Sequence, residues 1–219
     1  MSAETHTFLF ADLAGYTALT EAMGDESAAD VAAEFCEHVR GLLADHDAEE
    51  IKVIGDAVML HVPDAVAAAR LAARIVGDYG ARHRALGVAV GIHTGTAVRR
   101  GDDWFGAAVN VASRVADVAE AGEILLTEAT HTATGGVIAV RSRGRRAFKH
   151  VGEPIALYEL VFDRGDAPPA LPVDPVCRMA VDPELASEHV VHEGVEYHFC
   201  SDECARAFAA APARYVRAR

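Results

Sequence analysis

Two side chains of opposite charge stand close together in the stretch Lys52-Val53-Ile54-Gly55-Asp56. Gly55 and Asp56 form a turn signal between two short apolar segments, which predicts a β-hairpin. Alternate residues of a strand share a face, so Lys52 and Asp56 are expected to point the same way until the turn twists them apart. An acid and a base that converge on one hairpin suit a metal-bound, phosphorylated substrate. Taken alone, the stretch also fits a solvated turn beside a surface lysine.

A second carboxylate, Asp12, favours the chemical interpretation. It ends the apolar run Phe8-Leu9-Phe10-Ala11, which has the pattern of a buried strand. A carboxylate at the end of such a strand is costly unless something neutralises it, and a cation is the simplest partner. We therefore expect Asp12 and Asp56 to meet over shared divalent cations.

Asn110 and Arg114 are four residues apart in a segment, residues 106–119, that is predicted to be helical. Positions i and i+4 of a helix lie on one face, so both side chains would point at one place. Apolar residues occupy a neighbouring face of the same segment, at Val111, Val115 and Val118. The arrangement fits a substrate-facing amide and guanidinium, and it also fits a surface asparagine beside a surface arginine.

The overall composition bounds the class of protein. The chain has 219 residues, 51% hydrophobic and 24% charged, which is typical of a soluble protein with one ordinary domain and a small second one. A formal net charge of −13 argues against nucleic-acid binding, since such proteins present a basic face. No apolar run reaches the roughly 18 to 20 residues of a membrane span, and the polar N-terminus is no signal peptide. We therefore predict a cytoplasmic protein, in which the four cysteines are ligands or core thiols rather than disulfides.

The apolar patterns predict alternating helices and strands around these residues. Helices are predicted at residues 27–46, 63–79 and 106–119, strands at 86–93, 124–126, 137–140, 147–149 and 155–160, and a short helix or turn at 130–133. The order β-α-ββ-α-β predicts an α+β sandwich with its helices on one face of the sheet. Residues 163–172, which contain three prolines and a glycine, are predicted to be a linker that ends a first domain at residues 5–162.

Five stretches, taken together and in this order, resemble the catalytic domain of class III nucleotidyl cyclases. They are residues 10–17, 52–56, 91–95, 103–114 and 149–154. The resemblance implies a ferredoxin-like βαββαβ sandwich that converts ATP to 3′,5′-cyclic AMP and pyrophosphate with two Mg²⁺ or Mn²⁺ ions per site. It implies metal ligation by Asp12, the Leu13 carbonyl and Asp56, adenine selection by Lys52 and Asp103, catalysis by Asn110 and Arg114, and a further substrate-binding base at Lys149.

In such cyclases the site lies between two catalytic domains, with metal ligands from one and the Lys, Asn and Arg set from the other. Both sets occur in this chain, which implies a symmetric homodimer with two equivalent sites. Two positions depart from the family pattern, because Ala89 stands where some relatives have an arginine and Val151 where many have a lysine. An alternative therefore stays open, in which a catalytically silent cyclase fold binds nucleotide or metal as a regulatory module.

The last part of the chain follows a different pattern. The segments Asp174-Pro175-Val176-Cys177 and Tyr197-His198-Phe199-Cys200, followed by Cys204, resemble the YHS domain, a relative of the treble-clef TRASH modules, over residues 173–215. A module of about 40 residues buries little core and usually needs a metal, a disulfide or a partner. Three thiolates favour a soft or borderline ion such as zinc or copper. The tail is thus expected to be a small treble-clef-like module with Cys177, Cys200 and Cys204 as ligands, which senses metal or redox state for the cyclase.

The fourth ligand of that ion is less constrained. His198 is a candidate because it alternates onto the Cys200 face of its strand, whereas Asp174, His189 and His192 are weaker candidates. The alternative is that the thiols are reduced core residues of a metal-free module. His61, in the first domain, is predicted to have no special role.

Overall fold

The computed structural model describes residues 5–82, 87–162, 171–177, 181–184 and 186–216. The first domain begins with β1 (Thr5–Leu13), α1 (Tyr16–Met23), α2 (Asp25–Leu43) with a 3-10 turn (Ala44–His46), β2 (Glu49–Ile54), β3 (Ala57–Val62) and α3 (Ala65–Arg82). It continues with β4 (Val88–Thr96), β5 (Val98–Arg100), β6 (Asp103–Phe105), α4 (Ala107–Ala116), β7 (Ile124–Thr127), α5 (Glu128–Ala133), β8 (Val140–Arg146) and β9 (Ile155–Leu160). The second part contains β10 (Glu188–His192), β11 (Val195–Phe199), α6 (Asp202–Ala210) and a 3-10 turn (Pro212–Arg214).

Seven strands form one sheet in the order β2-β3-β1-β4-β7-β9-β8. The pairing of β4 with β7 is parallel and the others are antiparallel. Strand β1 is central, with β3 on one side and β4 on the other. The mixture of helices with this sheet confirms the predicted α+β sandwich.

Strand β1 is buried on both faces because its apolar residues occupy odd and even positions alike. Its odd-numbered residues from Leu9 to Leu13 pack in a core cluster with α2 and α3. Phe8 and Phe10 point the other way and pack against Trp104 and α4. The prediction that the helices cover one face is therefore wrong, since a strand without a polar side needs cover on both faces.

Gly91 allows α4 to lie directly on β4. A Cβ atom at this position would come within 2.1 Å of the Ala116 nitrogen and 2.6 Å of the Ala112 carbonyl oxygen. Distances this short are not possible for a real Cβ, so the helix can approach the strand this closely only over glycine. This contact sets the position of the helix that carries Asn110 and Arg114.

Other boundaries also differ from the predictions. Helix α1, which was not predicted, begins at Tyr16, shortly after β1 ends at Leu13. The strands predicted at residues 137–140 and 147–149 are wrong, because one strand, β8, runs through the arginine-rich stretch between them at the edge of the sheet. An exposed edge strand needs few apolar side chains, so its sequence lacks the usual signal. Most of the predicted linker and the start of the strand predicted at residue 86 lie outside the described residues.

The C-terminal module is a hairpin of β10 and β11 followed by α6. Its small core consists of Phe199, Ala205 and Phe208. Helix α6 begins after Ser201, whose hydroxyl accepts the Cys204 backbone N–H and so caps the helix. Within the described ranges, no helix of the chain has the length and apolar character that crossing a membrane requires.

Candidate active site

Asp12 and Asp56 meet at one end of the sheet. Asp12 lies near the end of β1, and Asp56 lies in the turn between β2 and β3. The register of β1 against β3 pairs Ala11 with Val58, which brings that turn beside Asp12. The Asp56 carboxyl group lies within hydrogen-bonding reach of that of Asp12, and this proximity contributes to a raised pKa of Asp12. The central sequence expectation, that these two acids converge, agrees with this geometry.

Burial and a neighbouring like charge make Asp12 a weak acid. Burial first, and then Asp56 and Asp117, raise the pKa of Asp12 from 3.8 to about 7, while the Leu13 backbone N–H opposes the shift by donating to the carboxylate. Two adjacent carboxylates at neutral pH need either a shared proton or a cation. The donor set of Asp12, Asp56 and the Leu13 carbonyl consists of oxygen atoms, so it fits hard ions such as Mg²⁺ or Mn²⁺.

Lys52, on β2, and Asp103, on β6, form a salt bridge. The Lys52 ammonium donates to the Asp103 carboxylate at 2.6 Å. Asp103 also accepts the backbone N–H of Trp104 at 2.8 Å. Both contacts favour the ionised carboxylate and hold the pKa of Asp103 below its usual value, with the Lys52 hydrogen bond as the larger cause. A donor and an acceptor are thereby fixed side by side.

Asn110 and Arg114 lie on the outer side of α4. Val111 and Val115, on the inner side, pack against the sheet, whereas Asn110 is exposed and Arg114 half-buried. The positive charge of Arg114 acts on Asp117, at the end of the helix, and lowers its pKa against the larger effect of burial. The helix thus presents an amide and a guanidinium outward, away from its own core.

Apolar side chains are exposed around the Lys52–Asp103 pair. At the tip of the β2–β3 hairpin, Ile54 is 52% exposed, and on β6 Phe105 is 55% exposed. Val98, which pairs with Phe105 across the β5–β6 hairpin, is also exposed, and so is Val53. We call Ile54, Val98 and Phe105 the hairpin patch; Val53 pairs with Val58, which packs on the opposite, α2 side of the sheet.

The remaining candidates of the cyclase part occupy contrasting environments. Lys149 is exposed in the turn that follows β8. Ala89, on β4, is buried against Val111 and Val115 of α4, and Val151 packs against the same cluster. The two departures from the family pattern therefore serve as packing residues of one core.

In the C-terminal module, four potential ligand atoms lie within 4.8 Å of one another, those of Asp174, Cys177, Cys200 and Cys204. The Cys200 sulfur is 3.3 Å from that of Cys177 and 3.9 Å from that of Cys204. All four cysteines of the chain lie in described regions, and none forms a disulfide. His198, a candidate fourth ligand from the sequence, is not a member of this cluster, whereas Asp174, a weaker candidate, is.

Asp174 organises the cluster through backbone hydrogen bonds. One carboxylate oxygen accepts the N–H groups of Val176 and Cys177, and the other accepts that of Cys200. The fully buried carboxylate therefore ties together two segments that are distant in sequence. Burial raises the pKa of the Cys200 thiol to about 11, so an ion that binds there must displace a proton.

Comparison with known families agrees with both parts of the chain. Residues 1–160 match the family described as the adenylate and guanylate cyclase catalytic domain. The chain belongs to this cyclase family. Residues 173–219 match the YHS domain, so the cyclase domain is followed by a YHS domain in one polypeptide.

Several named proteins are similar to parts of this cyclase. A pH-sensitive adenylate cyclase of Mycobacterium tuberculosis is 37% identical over 129 residues, which cover 59% of this chain and 32% of the relative. An adenylate cyclase of Streptomyces griseus is 33% identical over 117 residues, 53% of this chain and 29% of the relative. The chain thus spans about a third of the length of these curated relatives. A copper-transporting P-type ATPase of Rhizobium leguminosarum is 44% identical over 57 residues, which cover 26% of this chain and 7% of that protein.

Solved structures give the same fold. The crystal structure of the adenylyl cyclase CyaB from P. aeruginosa superimposes with a TM-score of 0.65 at 26% identity, and the match covers 74% of this chain and 96% of that one. An adenylate/guanylate cyclase/hydrolase from Silicibacter pomeroyi gives 0.64 at 26% identity, with 74% and 99% covered.

Proposed function

We propose that this protein is an adenylate cyclase, which converts ATP to 3′,5′-cyclic AMP and pyrophosphate in a homodimer. The observation that carries the proposal is the preformed Lys52–Asp103 pair in a chain that also brings Asp12 and Asp56 together. The names of relatives support ATP as the substrate, since two of the similar curated proteins are called adenylate cyclases. The compartment proposed is the cytoplasm, where ATP is abundant and where cysteines without disulfides are expected.

The choice of ATP over GTP follows from hydrogen-bond polarity. Adenine presents an acceptor at N1 and a donor at N6, which match the Lys52 ammonium and the Asp103 carboxylate. Guanine presents a donor at N1 and an acceptor at O6, so the same pair would face it with both polarities reversed. The salt bridge holds the two groups ready before the base arrives, which reduces the entropy lost on binding.

The chemical step is an in-line attack of the ribose 3′-oxygen on the α-phosphorus, with pyrophosphate as the leaving group. Divalent ions held by Asp12, Asp56 and the Leu13 carbonyl would lower the pKa of the attacking hydroxyl and bind the triphosphate. The role of Arg114 is to stabilise the negative charge that develops around the phosphorus. Asn110 orients the ribose, one helical turn before Arg114 on α4, and the exposed Lys149 is a further candidate for phosphate contact.

A site shared between two chains explains which side chains are exposed. Asn110 lies on the outer side of α4, where it can contact a substrate that is held by the metal ligands of a second copy. The hairpin patch borders the Lys52–Asp103 pair, and an exposed apolar cluster of this kind is typical of a protein interface. We propose that the patch is covered in a head-to-tail homodimer and that each site takes its metal ligands from one chain and Lys52, Asn110 and Arg114 from the other.

The thiol cluster suits one soft ion. Because Asp174 already accepts three backbone N–H groups, the sulfur atoms of Cys177, Cys200 and Cys204 are the main donors, and three thiolates favour copper(I) or zinc. Similarity of part of the chain to a protein named as a copper-transporting ATPase favours copper. We propose that the YHS domain binds this ion and thereby tunes the cyclase.

The test is cyclic AMP formation by the purified full-length protein with ATP and Mn²⁺. Product from the wild type, and none from Asp56→Ala, is the expected result. A second arm uses Arg114→Ala, which should lower kcat by about a hundredfold or more, while the Kd for ATP stays within about twofold. A soluble dimer that binds ATP in calorimetry without turnover would instead support the silent regulatory module.

A further inference from the structure

The β5–β6 hairpin, which carries Asp103, is attached to the sheet through both of its strands. On β5, the Arg99 guanidinium makes two hydrogen bonds to the Glu49 carboxylate of β2, at 2.6 and 3.1 Å. On β6, Trp104 is only 7% exposed and is the residue directly after Asp103. Its backbone N–H donates to the Asp103 carboxylate, so any movement of Trp104 moves the acceptor that adenine would use.

The indole of Trp104 rests on two histidines of the sheet. The ring of His61, on β3, stacks on it at 4.6 Å with an interplanar angle of 22°. The ring of His6, on β1, lies 4.3 Å away, and Phe8 meets the indole edge at 5.6 Å. The Arg99 guanidinium covers the indole at 5.8 Å, a favourable cation–π distance.

The two histidines are hydrogen-bonded to each other. Nδ1 of His6 lies 3.2 Å from Nε2 of His61, so one nitrogen donates and the other accepts. Three groups of neighbouring elements face His61, namely His6 on β1, Glu49 on β2 at 4.0 Å, and Arg99 on β5. Burial, and then the charge of His6, hold the pKa of His61 below 6.5; Arg99 acts in the same direction and Glu49 opposes it.

We infer that Trp104, seated on the His6–His61 pair, is the positioning residue for Asp103, and that charging both imidazoles weakens the recognition of adenine. One proton can be shared within the pair, because a charged ring donates to a neutral one. A second proton leaves no acceptor and sets two positive charges 3.2 Å apart beneath the indole. The rings must then separate, and the surface on which Trp104 rests is lost. The inference rests on the proposed ATP reaction for its kinetic consequence, but its structural part does not.

Trp104 is the sole tryptophan of the chain, so its fluorescence reports on this cluster alone. We expect the emission of the full-length protein to change as the pH falls from 8 to 5, with far-UV circular dichroism unchanged. His61→Phe, which keeps a ring against the indole but cannot be charged, should abolish this transition. His6→Gln serves as a second variant if His61→Phe does not fold, and His46→Gln, in the 3-10 turn after α2, is the control that should retain the transition. A flat wild-type profile, or the same transition in both cluster variants, would overturn the inference.

A kinetic arm links the cluster to the substrate. From pH 8 to pH 5.5, the KM for ATP should rise about fivefold to tenfold more in the wild type than in His61→Phe, in which protonation of Asp12 is the remaining cause of a rise. Trp104→Ala should raise the KM for ATP by about tenfold at pH 8 with a smaller change in kcat, and Trp104→Phe should recover most of the loss. If the protein makes no product, the Kd for ATP from calorimetry replaces KM, so failure of the cyclase proposal and failure of this inference stay distinguishable. An unchanged KM in Trp104→Ala, or equal pH profiles in wild type and His61→Phe, contradicts the positioning role.

Discussion

Lys52 and Asp103 are joined by a 2.6 Å salt bridge across 51 residues of sequence. A β-bulge between Glu50 and Lys52 shifts the register of β2 and pairs Lys52 with Met59, whose side chain faces α4. Lys52 thereby points toward the β5–β6 hairpin instead of the α2 side of the sheet. The register of β2 therefore positions Lys52 for its pairing with Asp103.

This pair predicts a change in nucleotide preference. Lys52→Glu replaces the donor by an acceptor, which opposes N1 of adenine but matches the N1–H of guanine. We expect kcat/KM for ATP to fall by about a hundredfold and the ratio of GTP to ATP turnover to rise. Arg70→Glu makes the same charge change at an exposed position of α3, so it controls for the loss of positive charge. An unchanged ratio of GTP to ATP turnover in Lys52→Glu would contradict the role of Lys52 in recognising the base.

The acidity of Asp12 predicts how stability depends on pH. A folded-state pKa raised from 3.8 to about 7 means that, between these values, the folded protein binds more protons than the unfolded one. The free energy of unfolding therefore decreases as the pH rises through this window, and the loss persists above it. Asp12→Asn lacks this effect, so at pH 8 without metal it should be about 2 kcal/mol more stable than the wild type, and at pH 4 the two should be close.

Mn²⁺ should reverse that order at pH 8. An ion that binds the ionised pair raises the free energy of unfolding of the wild type as its concentration rises above its Kd. It should not stabilise Asp12→Asn. Urea unfolding at both pH values, with and without Mn²⁺, measures this. Asp45→Asn, an exposed aspartate in the 3-10 turn, should follow the wild type throughout. Equal free energies of unfolding for wild type and Asp12→Asn at pH 8 without Mn²⁺ would show that ionising Asp12 beside Asp56 does not destabilise the fold.

The sequence predicted the elements whose signals are local. The apolar run of β1 ending in Asp12 and the turn at Gly55-Asp56 fixed both acids to strand ends, and the fold brings those ends together. The position of α4 depends instead on Gly91, whose importance appears only when the helix is seen 2.1 Å from where a Cβ would be. The apolar pattern of residues 106–119 predicts a helix but does not indicate which face of the sheet the helix covers.

The structural roles of Asp174 and His61 could not be predicted from the sequence. Asp174 was a weaker ligand candidate from sequence, yet its carboxylate accepts three N–H groups of two separate segments. Such a role depends on tertiary placement, because a buried aspartate next to a proline has no periodic pattern. His61 was predicted to have no special role. Its contacts with His6 on β1 and Trp104 on β6 could not be predicted, because they join strands that are separate in sequence.

Close packing at Gly91 predicts a large effect of a single methyl group. Gly91→Ala places a Cβ into the backbone of α4, so the helix must move, and we expect a loss of about 3 kcal/mol or more in the free energy of unfolding. Gly41→Ala, in the last turn of α2 where an added Cβ meets nothing within 4 Å, is the matched control. That substitution should stabilise the protein by up to about 1 kcal/mol, because alanine favours helices. Equal stabilities of the two variants in urea unfolding would mean that α4 does not rest on Gly91.

The thiol cluster predicts binding of about one ion per chain. Copper(I), supplied under reducing conditions, should bind the wild type and not Cys200→Ser, and uptake should release protons because burial keeps the Cys200 thiol protonated. Cys36→Ser changes a thiol buried in the core of the cyclase domain, so it controls for nonspecific thiol chemistry. Metal analysis after gel filtration measures the stoichiometry. The same metal content in wild type and Cys200→Ser would leave the thiols as core residues only.

The shared site is tested most directly by mixing two inactive proteins, Asp56→Ala and Arg114→Ala. In a head-to-tail dimer, one site of the mixed dimer is intact, because its metal ligands come from the Arg114→Ala chain and its arginine from the other. Random pairing makes half of the dimers mixed, so the account predicts about a quarter of wild-type cyclic AMP formation. Activity of the mixture no higher than that of either variant alone would contradict a site built from two chains.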